Sequence, residues 1–199
     1  LFYKFSKYEK EEIKLIELAN FNKNNNILEL GSSIGITSLY LKKKIGEGKL
    51  FCIEPNPHAY KCLLKNLQLN KFNVKCYNKV ANITYSELYF YINNNNYLSS
   101  SIIENKKSQN NDVSKIKIHS IDINEIIFKE LINTLVVDIE GFELNIYKNI
   151  NYKTINSIII ELHPQIYSTH LLNGILQFYL KKNFKIIHKL NYSYYLKRV

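Results

Sequence analysis

The sequence predicts a doubly wound α/β fold, with a mostly parallel sheet and an antiparallel hairpin near its C-terminal end. Three observations predict it. Short apolar runs alternate along the chain with segments of helical periodicity, as expected of parallel strands that helices cover on both faces. A glycine turn, Gly31 to Gly35, follows the first of these runs, and the acid Glu54 follows the second. Residues 184–188 and 192–196 read as two strands around a tight turn at Asn191.

The first half of the chain has a βαβαβ order. An amphipathic helix is predicted over residues 8–20, with Ile13 and Ile16, together with Leu15, facing inward. Pro57 is typical of a helix start. Strands are predicted at 27–30, 50–53 and 74–77, and helices at 33–44 and 57–70. Right-handed crossovers make these strands parallel.

The middle of the chain reads differently. Alternating residues predict strands at 87–92 and 115–119, with a further strand at 97–103. The asparagine run at 93–96 and the polar stretch at 105–114 are predicted to be loops. We interpret residues 83–119 as a β-rich excursion from one domain that spans residues 1–199, beside the ligand-binding edge.

The α/β alternation then resumes. Asp122 is predicted to cap a helix that ends near residue 131. Apolar strands follow at 134–139 and 157–162, with a short helix at 143–149 between them. Leu171, Ile175 and Phe178 are predicted to form the buried face of the last helix before the hairpin.

Composition narrows the function classes. The net charge of +10 is compatible with RNA binding, but Lys, Asn and Ile are abundant throughout and the densest lysine run, 42–44, falls on a solvated helix face. No stretch has the length of a membrane span. The three cysteines, Cys52, Cys62 and Cys76, form no C-x-x-C pair, which favours buried free thiols in a reducing cytoplasm.

The glycine turn and Glu54 indicate a nucleoside cofactor. An acid at the end of the second strand can accept hydrogen bonds from ribose hydroxyls. Ser32 and Ser33 stand where a dinucleotide site needs glycine for the pyrophosphate. A ligand with ribose and adenine but no pyrophosphate fits better, and S-adenosylmethionine is such a ligand. Glu29 could then hold its ammonium group, directly or through water.

Polar residues stand at five predicted strand ends, where open α/β sheets bind ligands. They are Glu29, Glu54, Asn78, Asp138 with Glu140, and Glu161 with His163. This convergence predicts one site.

An alcohol acceptor needs a base. The candidates are Asp138, Glu140, Glu161 and His163, with His163 first because its usual pKa lies near neutrality. Asp138 is also predicted to border the methionine end of the cofactor. Asp138 and Glu140 could hold Mg²⁺, but no third carboxylate is evidently placed, so no metal is predicted.

The chain resembles the FkbM family of S-adenosylmethionine-dependent methyltransferases. The resemblance rests on LELGSSIGITSL, FCIEPNPHAYKCLLKNLQLN, KIHSIDI, VVDIEGFELNIYKNI and IIIELHP. It implies a class I methyltransferase (Rossmann-like) fold, S-adenosylmethionine as donor, and an oxygen acceptor on a sugar, a polyketide or a similar small molecule. It also implies cofactor contacts: Gly31, Ser33, Gly35 and Ser38 at the methionine end, Glu54, Pro55 and Asn56 at the ribose, and Asn78 to Val80 near the adenine.

One departure keeps other functions open. Family members often have Lys two residues before the aspartate of D-x-E-G, and Val136 stands there in this chain. A cofactor-binding protein without catalytic activity is therefore one alternative. Methylation of RNA ribose is another, motivated by the charge, although D-I-E-G is not the Asn/Asp-Pro-Pro-aromatic turn that base-amine methylation commonly uses.

Overall fold

A computed structural model describes residues 9–93, 100 and 113–199 of the chain. The helices are α1 Lys10–Ala19, α2 Ile36–Ile45, α3 Pro57–Leu69, α4 Ile123–Lys129, α5 Glu143–Ile146 and α6 Thr169–Lys181. The strands are β1 Ile27–Leu30, β2 Leu50–Ile53, β3 Lys75–Tyr77, β4 Val80–Asn82, β5 Glu87–Asn93, β6 Val113–Asp122, β7 Thr134–Val137, β8 Ser157–Glu161, β9 Phe184–Leu190 and β10 Ser193–Arg198. The predicted strand at 97–103 and loop at 105–114 fall largely outside these described residues.

A seven-stranded sheet forms the centre of the fold, in the order β3-β2-β1-β7-β8-β10-β9. The first five strands in this order are parallel, and β10 runs antiparallel to both β8 and β9. Every residue of β1, β2 and β7 is buried, because helices cover both faces of the sheet. The predicted class, a mostly parallel α/β sheet with a C-terminal hairpin, is confirmed.

The β-rich middle segment forms a second sheet, in which β6 lies between β4 and β5. Strand β6 is parallel to β4 and antiparallel to β5. Phe90 and Val80 of this sheet are buried in the same apolar cluster as Leu28 and Leu135 of the central sheet. The smaller sheet therefore packs against the edge at which β1 and β7 end.

Helix α6 buries a different face from the one predicted, and in helix α1 the predicted inward residue Ile13 is only half-buried. Helix α6 buries Leu172, Ile175 and Tyr179, whereas Leu171 is 44% exposed. The predicted and the observed buried residues both have helical spacing and share Ile175, so tertiary packing decides which face is buried. The ring of Tyr179 packs edge to face against the rings of residues 152 and 184. Helix α1 buries residues 15 and 16 as predicted, but also Glu12.

The cysteines are only partly as predicted. Cys52 is buried in β2, but Cys62 is exposed on α3 and Cys76 is half-buried. All three are free thiols. In the part of the chain that the structure describes, no helix combines the length and the apolar character needed to cross a bilayer.

Candidate functional site

A cavity of about 180 Å³ opens at the carboxyl ends of β1, β2 and β7. Seven of its lining residues are among the predicted site residues: Gly31, Ser33, Glu54, Pro55, Val80, Asp138 and Glu140. Seven others were not predicted: Glu9, Ile53, Ala81, Phe90, Ser100, Ile139 and Phe142. The apolar members of this second set come largely from β4, β5 and the loop before α5. The lining thus combines acidic and polar side chains with apolar ones, as in many small-molecule sites.

The glycine turn adopts the backbone conformation that glycine alone takes without strain. Gly31 has a φ of 85° and Gly35 a φ of 89°. A Cβ on Gly31 would lie 1.6 Å from the carbonyl oxygen of Asp138, and a Cβ on Gly35 would lie 2.6 Å from Cδ1 of Leu63. Gly31 lines the cavity, whereas Gly35 serves the contact between α2 and α3.

Ser33 lies between these glycines with a φ of 47°. Its Oγ is buried and has no hydrogen-bond partner among the described residues. Because a buried hydroxyl without a partner is unfavourable, and because Ser33 lines the cavity, this hydroxyl fits a polar group of a bound ligand.

Glu54 is held at the cavity wall by two backbone hydrogen bonds. One oxygen, Oε2, accepts a hydrogen bond of 2.7 Å from the backbone N–H of Ser33, and Oε1 accepts one of 2.7 Å from the N–H of Asn56. Burial raises the pKa of Glu54 to about 7, against the lowering effect of these two bonds. The carboxylate is thus fixed at the cavity wall, where it can accept from ribose hydroxyls.

Asn56 and Asn78, which were predicted to contact the cofactor, form hydrogen bonds with the backbone near Glu54. Asn56 caps α3, its Oδ1 accepting from the N–H of His58 at 3.0 Å. Asn78 donates from Nδ2 to the carbonyl oxygens of Glu54 and Pro55, at 2.9 and 3.0 Å. Neither lines the cavity. They hold the loop that presents Glu54.

Glu29 and Ser38 lie beneath the cavity rather than in it. Glu29 is 2% exposed, and its Oε2 accepts hydrogen bonds from the hydroxyl of Ser38 and from Sγ of Cys52. Burial raises the pKa of Glu29 well above its usual value. Glu29 therefore joins β1, β2 and α2 below the cavity, and it is not among the lining residues that a cofactor ammonium would meet.

An unpredicted acid occupies the start of α2. The carboxylate of Glu9 accepts hydrogen bonds from the backbone N–H of Thr37, at 3.1 Å, and from the Thr37 hydroxyl. Free N–H groups at a helix start are a general binding place for carboxylates. With Glu9 in place, the cavity is smaller than the roughly 300 Å³ at the lower end of small-molecule sites. No sequence motif marks Glu9, which reaches the site only through the packing of α1.

His163 stands in a cluster of carboxylates behind the cavity. Its Nε2 lies 3.3 Å from Oδ1 of Asp138 and 3.6 Å from Oε2 of Glu140, and its Nδ1 lies 3.0 Å from Oε1 of Glu143. Burial alone would lower the pKa of His163, but Asp138 and Glu143 raise it to about 11. The imidazole is therefore protonated at neutral pH and is not placed to act as a base.

Glu143 is a further residue of this cluster that the sequence did not lead us to place in the site. It was predicted to serve the start of a helix, and it does begin α5. It is also 1% exposed and holds His163. Its position in the D-x-E-G-x-E pattern was the available signal, because the turn at Gly141 brings the second glutamate back toward the strand end.

Two other acids have pKa values near neutrality. Burial and repulsion from Asp138 raise the pKa of Glu140 and of Glu161 to about 7 in each case. Glu140 lines the cavity, and Glu161, at the end of β8, does not. Of the four predicted catalytic residues, the structure thus places Asp138 and Glu140 in the cavity wall and His163 and Glu161 behind it.

Comparison with known proteins identifies the family. The sequence profile of the "Methyltransferase FkbM domain" matches residues 19–193, most of the chain. The chain belongs to the FkbM methyltransferase family. S-adenosylmethionine is therefore its cofactor, and the free Ser33 hydroxyl, the glycine turn at the cavity wall and the fixed Glu54 carboxylate fit that molecule. Glu54 would hold the ribose, and Gly31 and Ser33 the methionine end.

Individual relatives agree with the family. The chain is 41% identical over 54 residues to methyltransferase sdnD of Sordaria araneosa, a match that covers 27% of this chain and 21% of that one. The methyltransferase FkbM structure from Methylobacillus flagellatus KT is similar over 88% of this chain and 44% of that chain, with a TM-score of 0.57 and 18% identity. The chain thus spans less than half the length of either relative.

One similar structure matches this chain over nearly the full length of both proteins. The structure of a SAM-dependent methyltransferase from Aquifex aeolicus is similar over 100% of this chain and 97% of that chain, with a TM-score of 0.53 and 12% identity. This likeness confirms the class I methyltransferase fold.

Proposed function

We propose that this member of the FkbM family transfers a methyl group to a hydroxyl group of a small molecule or sugar. One observation carries the proposal: Asp138 and Glu140 line the same cavity as Glu54 and the glycine turn. Glu54 and the turn are the groups that would hold the cofactor, which supplies an electrophilic methyl group when bound. Glu9 is bound to the start of α2, which leaves the cavity carboxylates of Asp138 and Glu140 for the acceptor.

Glu140 is the proposed base. It lines the cavity, and its backbone has a φ of 49°, a strained conformation that the turn before Gly141 imposes and that turns the residue out of the strand direction. Bound S-adenosylmethionine would supply the methyl group and would keep the electron pair of the broken carbon–sulfur bond. The Glu140 carboxylate would accept the proton that the acceptor oxygen loses. Asp138 stays paired with protonated His163 and orients the acceptor.

The charge of the cavity favours a neutral or cationic acceptor over RNA. Four of the lining residues are acids, namely Glu9, Glu54, Asp138 and Glu140. Phosphate groups brought close to these carboxylates would be repelled, whereas a hydroxyl of a sugar or a polyketide-like molecule would not. Because the net charge of the chain is +10, RNA ribose is the alternative acceptor with which the small-molecule acceptors must be compared.

Val136 does not argue for an inactive protein. It is 2% exposed and packs in an apolar cluster with Ile159 and Leu63. It does not line the cavity. The valine thus fills a core position, and the carboxylates proposed for the acceptor are all present.

The proposal is tested by transfer of a labelled methyl group to a panel of alcohols, sugars and carboxylic acids, with total RNA as a separate arm. We expect labelling of a hydroxyl compound. Glu140→Gln should lower turnover by about 10²-fold or more and leave cofactor affinity within a small factor. Glu87→Gln, on the exposed side of β5, is the matched control and should leave turnover unchanged.

Other outcomes would decide against the proposal. Labelling of RNA alone would make the protein an RNA methyltransferase. Cofactor binding without labelling of any acceptor would favour a binding protein, and full turnover by Glu140→Gln would remove Glu140 as the base.

A further inference from the structure

The carboxylates behind the cavity form two groups that share Asp138. In one group the candidate ligand atoms belong to Asp138, Glu140 and His163, and in the other to Glu12, Asp138 and Glu161. Within each group these atoms all lie within 4.8 Å of one another. The second group consists of oxygen atoms only and joins α1 to the ends of β7 and β8.

Glu12 is the unexpected member. The amphipathic pattern of α1 does not call for an acid on its inner face, yet Glu12 is 2% exposed. Its Oε1 has no hydrogen-bond partner among the described residues, and its Oε2 is 3.5 Å from the hydroxyl of Thr37. A buried carboxyl group with an oxygen left unpartnered is costly unless a cation or a donor reaches it.

The surroundings of Glu12 supply more negative charge rather than a cation. Its pKa is raised well above the usual value by burial and then by Asp138, Glu9, Glu161 and Glu29. Across residues 9–93, 100 and 113–199, no lysine or arginine forms an ion pair with Glu12, Asp138 or Glu161. His163 pairs with Asp138 but not with the other two.

We propose that Glu12, Asp138 and Glu161 bind one divalent cation of the oxygen-preferring kind, such as Mg²⁺ or Mn²⁺. Carboxylate oxygens are the ligands that these ions prefer. Oxygen atoms bound to one ion through bonds of roughly 2.0–2.6 Å lie at most about 5 Å apart, so small side-chain adjustments bring all three carboxylates to a common ion. The sequence alone indicates no such site, because Glu12, Asp138 and Glu161 come from separate parts of the chain.

The all-oxygen group is preferred to the group that contains His163. A histidine must be neutral to bind a metal, whereas His163 is held as a cation between Asp138 and Glu143. Glu12 and Glu161 must also give up protons, because the pKa of each is raised, but among the described residues no pair of carboxylates holds those protons as Asp138 and Glu143 hold that of His163. Since Asp138 also lines the cavity, the bound cation would stand beside the acceptor; this consequence, unlike the binding itself, rests on the proposed function.

Binding is tested with Mn²⁺ alone, by the loss of the free-ion electron paramagnetic resonance signal, on the untagged full chain without S-adenosylmethionine. We expect one bound ion per chain, displaced by excess Mg²⁺ or Ca²⁺. Glu12→Gln and Glu161→Gln should each weaken Mn²⁺ binding at least tenfold. Glu140→Gln, which belongs only to the other group, and Glu17→Gln, on the exposed face of α1, should leave it unchanged.

Folding is checked separately. In EDTA, Glu12→Gln should unfold at about the same temperature as the native protein, because an uncharged amide of the same shape replaces a carboxyl group whose pKa is raised by burial. Its loss of Mn²⁺ binding then cannot come from unfolding. Added Mn²⁺ should raise the unfolding temperature of the native protein but not of Glu12→Gln. The proposal is overturned if the native chain does not bind Mn²⁺, or if Glu140→Gln abolishes binding while Glu12→Gln retains it. Because cofactor is absent, either result leaves the methyl-transfer proposal standing.

Discussion

Gly31 and Asp138 meet where β1 and β7 end, so closely that a Cβ on Gly31 would lie 1.6 Å from the Asp138 carbonyl oxygen. The N–H of Asp138 also donates to the carbonyl of Leu30, at 2.9 Å. The glycine turn and the D-x-E-G turn are therefore one packed unit. A change in the first must displace the acids of the second.

Replacement of Gly31 should damage both stability and binding. Gly31→Ala combines a φ of 85° with a collision against backbone, so we expect a loss of about 3 kcal/mol or more in the free energy of unfolding. Urea unfolding measures it. Gly174→Ala is the control, because a Cβ there meets nothing within 4 Å and lies in α6; it should stabilise by about 0.5–1 kcal/mol. Equal effects of the two substitutions would contradict the packing described for Gly31.

Cofactor affinity should follow the ionisation of Glu54. The ionised carboxylate is the form that accepts from two ribose hydroxyls, and its pKa in the folded protein is about 7. Lowering the pH from 8 to 6 should therefore weaken binding of S-adenosylmethionine about tenfold, as the ionised fraction falls by that factor. Calorimetry at the two pH values measures it.

Glu54→Gln should bind the cofactor at least tenfold more weakly at pH 8 and show little of this pH dependence. Glu47→Gln, in the exposed turn after α2, should behave as the native protein. Undiminished binding by Glu54→Gln would remove Glu54 from the ribose site.

Removal of Glu9 should favour the cofactor. The Glu9 carboxylate holds the Thr37 N–H at the start of α2, a position that the carboxylate of S-adenosylmethionine can use. Because such a helix-start contact is worth roughly 0.3–1 kcal/mol, Glu9→Ala should tighten cofactor binding about two- to fivefold. Glu11→Ala, two residues along the same helix, is the control. Weaker binding by Glu9→Ala would show that Glu9 contributes to the site rather than competing for it.

The buried acid Glu29 should make stability depend on pH. Its pKa is raised in the folded state, so between pH 4.5 and that higher value the folded protein binds more protons than the unfolded chain. Stability from this group is therefore present at acid pH and is lost as the pH rises. In EDTA, Glu29→Gln should show a smaller fall in unfolding free energy from pH 5 to pH 8 than the native protein. An unchanged slope would mean that Glu29 ionises normally.

Most of the fold could be predicted because it depends on local patterns. The apolar runs of β1, β2, β7 and β8, the Pro57 helix start and the Asn191 turn are properties of a few consecutive residues. The side of a helix that is buried is not: Leu171 and Leu172 are equally apolar, and the rings around Tyr179 decide between them.

The site could also be predicted only in part. The sequence by itself determined that Gly31, Ser33, Glu54, Asp138 and Glu140 would meet at one sheet edge, because parallel strands end on the same side. Only the tertiary structure decided that Glu9, which precedes α1, and Glu12 of α1 join them, that Glu143 holds His163 as a cation, and that Glu29 lies beneath the cavity. The reason is physical: strand and turn formation depend on neighbours in the chain, whereas the charge state and partners of a buried acid depend on groups that only folding brings together.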